Sequence, residues 1–173
     1  MMTKVRSMIM TPELLPLFDA CVELLPSYWY TVPASSSGKY HPAFAAGEGG
    51  LMKHSYATTV FARRIATAYG WDQKHIDLIT IAAWLHDGKK QGEGEGRTVH
   101  EHPVLMANAI RAAFPGNPDA EFIAHAIESH MGKWNTSKYS DVILPIPMDE
   151  AQKVLSAADM CAATPELGFD FDR

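Results

Sequence analysis

The run Ile81-Ala82-Ala83-Trp84-Leu85-His86-Asp87-Gly88-Lys89-Lys90 decides how this chain is read. An apolar, helix-forming segment ends in an adjacent imidazole and carboxylate, followed at once by glycine and lysines. Imidazole and carboxylate are costly to desolvate alone, and a metal ion satisfies both. A metal held there needs further ligands from elsewhere in the chain.

Working outward, Asp72 is placed to cap the helix that carries this run, Gln73 to Asp87, with Ile76, Ile79 and Ala83 inward and His75 outward. Before it, Leu51 to Tyr69 reads as a helix closed by Gly70. His54 lies on its Leu51–Ala57–Phe61 side and points inward. After it, His102-Pro103 opens a helix to about Phe114, and Pro115-Gly116-Asn117-Pro118 breaks the chain. Asn117 then caps a helix from Pro118 to Met131, stopped by Gly132. There His130 shares a face with Ile123, Ala126 and Ile127, whereas His125 sits on the wetter side with Glu121 and Glu128. A last helix, Met148 to Ala163, carries Asp159 on a face with Leu155 and Ala162. An N-terminal helix starts at Thr11-Pro12 or at Pro16 and ends at Pro26. No segment reads as a strand, so the expected fold class is all-α, a helical bundle.

Inward or helix-end positions therefore offer His54, His86, Asp87, His102, His130 and Asp159. This mixed N/O set suits one or two divalent transition-metal ions, with Mn, Fe, Zn, Co and Ni all open. Asp87 has two oxygens and can bridge a pair. His54, His86 and Asp159 would complete one site, and His102 with His130 the other. Such ions acidify a bound water and neutralise phosphate oxygens. Lys90, three residues past Asp87, is placed to reach a phosphate oxygen, so Asp87 and Lys90 are the candidate catalytic pair. Lys89 and Lys138 read as solvated charges.

Three loops flank these helices. The first, Ser27 to Gly50, is long, aromatic and polar, and is expected to fold over something. The second, Gly88 to Glu101, has a Gly-x-Gly-x-Gly spacing but no preceding strand, and Glu93 and Glu95 would repel phosphate; it reads as a connector or lid. The third runs from Lys133 to Pro147. Candidate substrate contacts are Ser36, Lys39, Tyr40, Lys133 and Trp134, with Tyr28 and Trp29 as further surfaces for stacking a base.

Composition sets outer bounds. At 173 residues, 47% hydrophobic and 20% charged, the chain reads as one domain, with an N-terminal helix and aromatic loop over 11–50 and a metal-binding core over 51–163. A net charge of -5 without a basic block argues against an extended nucleic-acid surface. Cys21 and Cys161 form no CxxC pair, so a reducing, cytoplasmic setting is expected. No apolar run approaches a signal region or a membrane span.

The order His54 … His86-Asp87 … Asp159 resembles the HD-domain metal-dependent phosphohydrolase superfamily, from about Lys39 to Glu166. Gly49-Gly50-Leu51-Met52-Lys53-His54 is similar to the family's GGL-x-x-H helix start, and Ala83 to Lys90 to its A-x-L-H-D-x-x-K. Glu101-His102-Pro103 resembles the HP that supplies a second-metal histidine. Ile127 to Gly132 resembles the I-x-S-H-H-G of HD domains in bacterial 3′–5′ exoribonucleases, and Ala157-Ala158-Asp159 the A-D that closes the first site. The resemblance implies an all-α HD fold, metal ligation by His54, His86, Asp87 and Asp159, and hydrolysis of a nucleotide or short oligonucleotide phosphoester. Homo-oligomers are common among such proteins. Two departures stand out. Met131 replaces the second histidine of the usual pair, leaving the second site a ligand poorer. Gly88 stands where relatives carry an apolar residue, which is expected to loosen the turn aiming Lys90. Two alternatives follow from the same superfamily. One is a diiron oxygenase cleaving a C–C or C–P bond, which tolerates Met131; the other is a metal-containing nucleotide-binding regulatory module.

Overall fold

A computed structural model describes residues 1–35, 41–94 and 96–171. Among these residues it holds seven α-helices and no strand. They are α1 (Met2–Met8), α2 (Leu15–Val22), α3 (Gly50–Ala68), α4 (Gln73–Leu85), α5 (His102–Ala113), α6 (Pro118–Glu128) and α7 (Glu150–Ala162). The fold is an all-α bundle. No described helix is long and apolar enough to cross a membrane.

Helix α4 is the axis. Its residues Ile76 to Leu85 are all buried, and α3, α6 and α7 pack around it while α5 pairs with α6. Local chemistry sets the helix starts: the side chains of Asp72, Asn117 and Asp149 accept backbone N–H bonds at the first turns of α4, α6 and α7. Three helices end sooner than the sequence pattern suggests: α2 stops at Val22, short of Pro26, and α4 and α6 also fall short. Helix α4 stops at Leu85, so His86 and Asp87 lie just beyond it. Helix α6 stops at Glu128, leaving His130 in the following turn. Near the N-terminus, Pro12–Leu14 forms a 3₁₀ turn before α2, and α1 is a short helix that the apolar periodicity did not mark.

The Ser27–Gly50 stretch is tied down at both ends. Ser27–Tyr30 is a 3₁₀ turn that turns Tyr28 and Trp29 into the core, at 4% and 0% exposure. Trp29 meets Trp84 of α4 edge to face at 4.9 Å. Neither ring is available to stack a base, contrary to expectation: a loop aromatic looks exposed in a sequence because loops carry no periodicity. The amides of Gly49 and Leu51 donate to the carbonyls of Thr31 and Val32 (2.8 and 3.0 Å), and Ala34 donates to Ala45 (2.9 Å). Gly50 permits this closure. A Cβ there would lie 2.1 Å from the Ala45 carbonyl oxygen. Gly50→Ala is therefore expected to cost about 3 kcal/mol through overpacking against backbone, read as a lower midpoint in urea unfolding.

Gly88 does not loosen its turn. A Cβ there would meet Met106 Sδ at 2.6 Å and Leu25 Cδ2 at 2.7 Å, so the glycine is a tight-packing position. Lys89 is likewise not a solvated charge: it is 9% exposed, with only its ammonium reaching Glu93 at 2.9 Å.

Candidate metal centre

The N-terminal ends of α3 and α5 and the C-terminal ends of α4, α6 and α7 meet at one end of the bundle. His54 comes from the second turn of α3, His86 and Asp87 from the turn after α4, and His102 from the first residue of α5. His130 follows α6, and Asp159 sits in the last turn of α7. All four histidines and Asp87 are at most 1% exposed, and the Asp159 side chain is 20% exposed.

The two oxygens of Asp87 face two groups of histidines. Oδ2 lies 3.6 Å from His86 Nε2 and 4.0 Å from His54 Nε2. Oδ1 lies 2.9 Å from His102 Nε2 and 3.5 Å from His130 Nε2. Asp159 Oδ1 adds 2.9 Å to His54 Nε2 and 3.5 Å to His86 Nε2. Three overlapping sets have ligand atoms within 4.8 Å of one another: His54–His86–Asp87, His86–His130–Asp159 and Asp87–His102–His130. Lys90 Nζ donates to both Asp87 oxygens, at 2.8 and 3.0 Å.

Tautomers decide what this cluster fits. His86, His102 and His130 each donate Nδ1–H to a carbonyl three residues earlier: Ala83 (2.7 Å), Val99 (2.7 Å) and Ile127 (2.8 Å). A carbonyl only accepts, so the proton of each neutral ring is on Nδ1 and the Nε2 lone pair points at the carboxylates. Those three Nε2 atoms are buried and lack hydrogen-bond partners. Lone pair and carboxylate repel unless a cation lies among them. Burial pushes His102 down to about 4, Lys90 adding to the effect, so that ring is neutral at ordinary pH. Burial opposes charge on Asp87 too, yet Lys90 and His86 hold its carboxyl well below the usual carboxylate range. Burial likewise opposes charge on Asp159, and His54 and His86 keep it low. For His86, burial lowers the pKa, but Asp87 and Asp159 outweigh it and raise the value. A proton on His86 relieves only that ring's contacts and leaves those of His102 and His130. Divalent cations fit the whole donor set, and a backbone carbonyl on Nδ1–H is the usual way a ligating imidazole is aimed.

Lys133 and Trp134 are exposed, in the turn after His130, with the Lys133 ammonium 5.1 Å from the Trp134 ring centre. Ser36, Lys39 and Tyr40 lie outside the described residues. One residue escapes the sequence pattern. His41 sets its ring edge to face on His54, with centres 4.8 Å apart, and its Nδ1 is buried without a partner. Burial, then His54 and Lys90, push it down to about 4. It lies in an aperiodic loop, so helical phase gives no sign of it; its position 13 residues before His54 is the one hint the sequence offers.

Compared with known families, the chain matches the HD domain over residues 51–164. Comparison with curated proteins and with solved structures returned no match.

Proposed function

Because the chain belongs to the HD-domain family, a superfamily of metal-dependent hydrolases, we propose that it hydrolyses a phosphoester of a nucleotide or short oligonucleotide. In this reading His54, His86, Asp87 and Asp159 hold one divalent ion, and Asp87, His102 and His130 a second. The observation that carries it is the set of three Nε2 lone pairs, each locked by an Nδ1–H bond to a carbonyl and all turned on buried carboxylates. A divalent ion bound there supplies Lewis acidity, making a water more acidic and offsetting charge on phosphoryl oxygens.

The chain's own groups do the rest. Asp87 spans the two halves of the centre, one oxygen to each. Lys90 orients that carboxylate with two N–H bonds and keeps its third N–H for an anionic oxygen of the substrate. Lys133 and Trp134, three and four residues past His130, offer a cation and a ring face to the nucleotide. Ser36, Lys39 and Tyr40 belong to the same reading as substrate contacts. Small nucleotide-type substrates suit a net charge of -5 better than long polyanions.

The test is a panel of nucleotides, short oligonucleotides and a chromogenic phosphodiester with Mn²⁺, with bound metals measured on the same preparation. Release of phosphate or nucleotide without oxygen uptake is expected. Oxygen consumption by an iron-loaded protein that cleaves no phosphoester would sink the proposal in favour of the oxygenase.

A further inference from the structure

His54 is aimed differently from the other three histidines. It sits within α3, where the carbonyls of the preceding turn are taken by helix bonds, so its Nδ1 has no carbonyl to meet and is buried without a partner. His41 is the ring against it. The loop that delivers His41 is anchored on both sides, by Ala34 to Ala45 and by Gly49 and Leu51 to Thr31 and Val32. The fold thus places a further imidazole beside the ligand cluster. His41 is absent from each of the three ligand sets.

A buried polar atom without a partner costs roughly 1–3 kcal/mol. Beside a ligand cluster, such an atom is one that a bound molecule can complete. The demand on this side of the centre is for donors. Asp159 and Asp87 are acceptors, the Nε2 atoms of His86, His102 and His130 are lone pairs, His54 Nε2 is engaged with Asp159 Oδ1 at 2.9 Å, and Lys90 has committed two of its N–H groups to Asp87. A phosphoryl group approaching the His54–Asp159 side brings several anionic oxygens, and of these groups only the third N–H of Lys90 is left to donate to one of them.

We propose that His41 is a substrate-contacting residue whose Nδ1–H donates to a non-bridging oxygen of the phosphoryl group at the His54–Asp159 side of the centre. The proposal rests on the phosphohydrolase reading above. It also explains why the long loop is anchored here. The loop supplies a donor where His86, His102 and His130 cannot, since each directs its Nδ1–H to a backbone carbonyl.

Inorganic phosphate binding to the Mn-loaded full chain, followed by calorimetry alongside metal content, tests this. His41→Phe keeps a ring against His54 and removes the nitrogen; His41→Ala removes both without overpacking; His41→Asn returns an amide N–H near the place of Nδ1. In the Phe and Ala variants the phosphate dissociation constant is expected to rise about ten-fold, the worth of one hydrogen bond to a charged group, at unchanged metal content. The Asn variant is expected to recover most of that loss. Wild-type phosphate binding in Phe or Ala overturns the proposal. Loss of metal in step with phosphate overturns it too, because His41 then acts only by positioning His54. A wild-type chain that holds Mn²⁺ but neither binds phosphate nor cleaves any phosphoester overturns the phosphohydrolase reading itself, a result distinct from either of these.

Discussion

His86→Ala and Asp87→Asn are each expected to lower phosphoester turnover by about 10³-fold or more while the chain stays helical. The two variants fail for different reasons. His86 gives its Nε2 to both carboxylates, lying 3.6 Å from Asp87 and 3.5 Å from Asp159. Alanine there removes a ligand and leaves a buried cavity. Asp87→Asn keeps the shape and loses the charge. Whichever way the amide turns, its –NH₂ faces the ammonium of Lys90 together with one group of histidines, where an acceptor stood. Because Asp87 serves both halves, its substitution should remove both metal equivalents, measured by mass spectrometry of the protein after gel filtration. Circular dichroism checks that the bundle persists. Wild-type turnover in both variants would end the assignment of the centre.

The six side chains singled out by helical phase and by spacing do converge, and the reason is geometric. In a bundle of alternating helices, an inward polar residue within a turn or so of a helix end lands in one layer at one end. Phase and end position together therefore carry most of the information about His54, His86, His102, His130 and Asp159. Phase says nothing about loops. It missed His41, and it misread Tyr28 and Trp29, which a 3₁₀ turn rotates into the core. It also overran the ends of α4 and α6, where the carbonyls of Ala83 and Ile127 accept Nδ1–H bonds and that of Ile127 also takes the His130 amide in a tighter turn (3.1 Å). Apolar pattern continues through such a turn although the helix does not. Lys89 went unrecognised as buried because its stem packs and only its ammonium reaches Glu93.

The largest effect on stability is expected from Asp77→Ala, at about 3 kcal/mol or more in urea unfolding. Asp77 is fully buried in the middle of α4, inside an apolar run that hides it from any reading of hydrophobic pattern. One of its oxygens accepts from the amides of Met10 and Thr11 (2.9 and 2.8 Å) and from the Thr11 hydroxyl (2.8 Å). The other accepts from Arg63 of α3 at 3.1 Å and Gln73 at 2.8 Å. Alanine leaves two backbone amides without their acceptor in a partly buried place and takes the charged partner from the Arg63 guanidinium, which keeps only Thr80 Oγ1 at 3.0 Å on that nitrogen; each lost partner is costly. The same carboxylate ties the N-terminal segment and α3 to α4, the helix whose far end carries His86 and Asp87. Its removal should loosen α3 against α4, and with them His54 against His86, so metal affinity is expected to fall with stability. Asp77→Asn keeps acceptors for the amides but loses the charge opposite Arg63, and should fall between the two. An unfolding midpoint unchanged in Asp77→Ala would show that the N-terminal segment and the Arg63 contact contribute little, and that the apolar packing of α3, α4 and α7 positions the centre by itself.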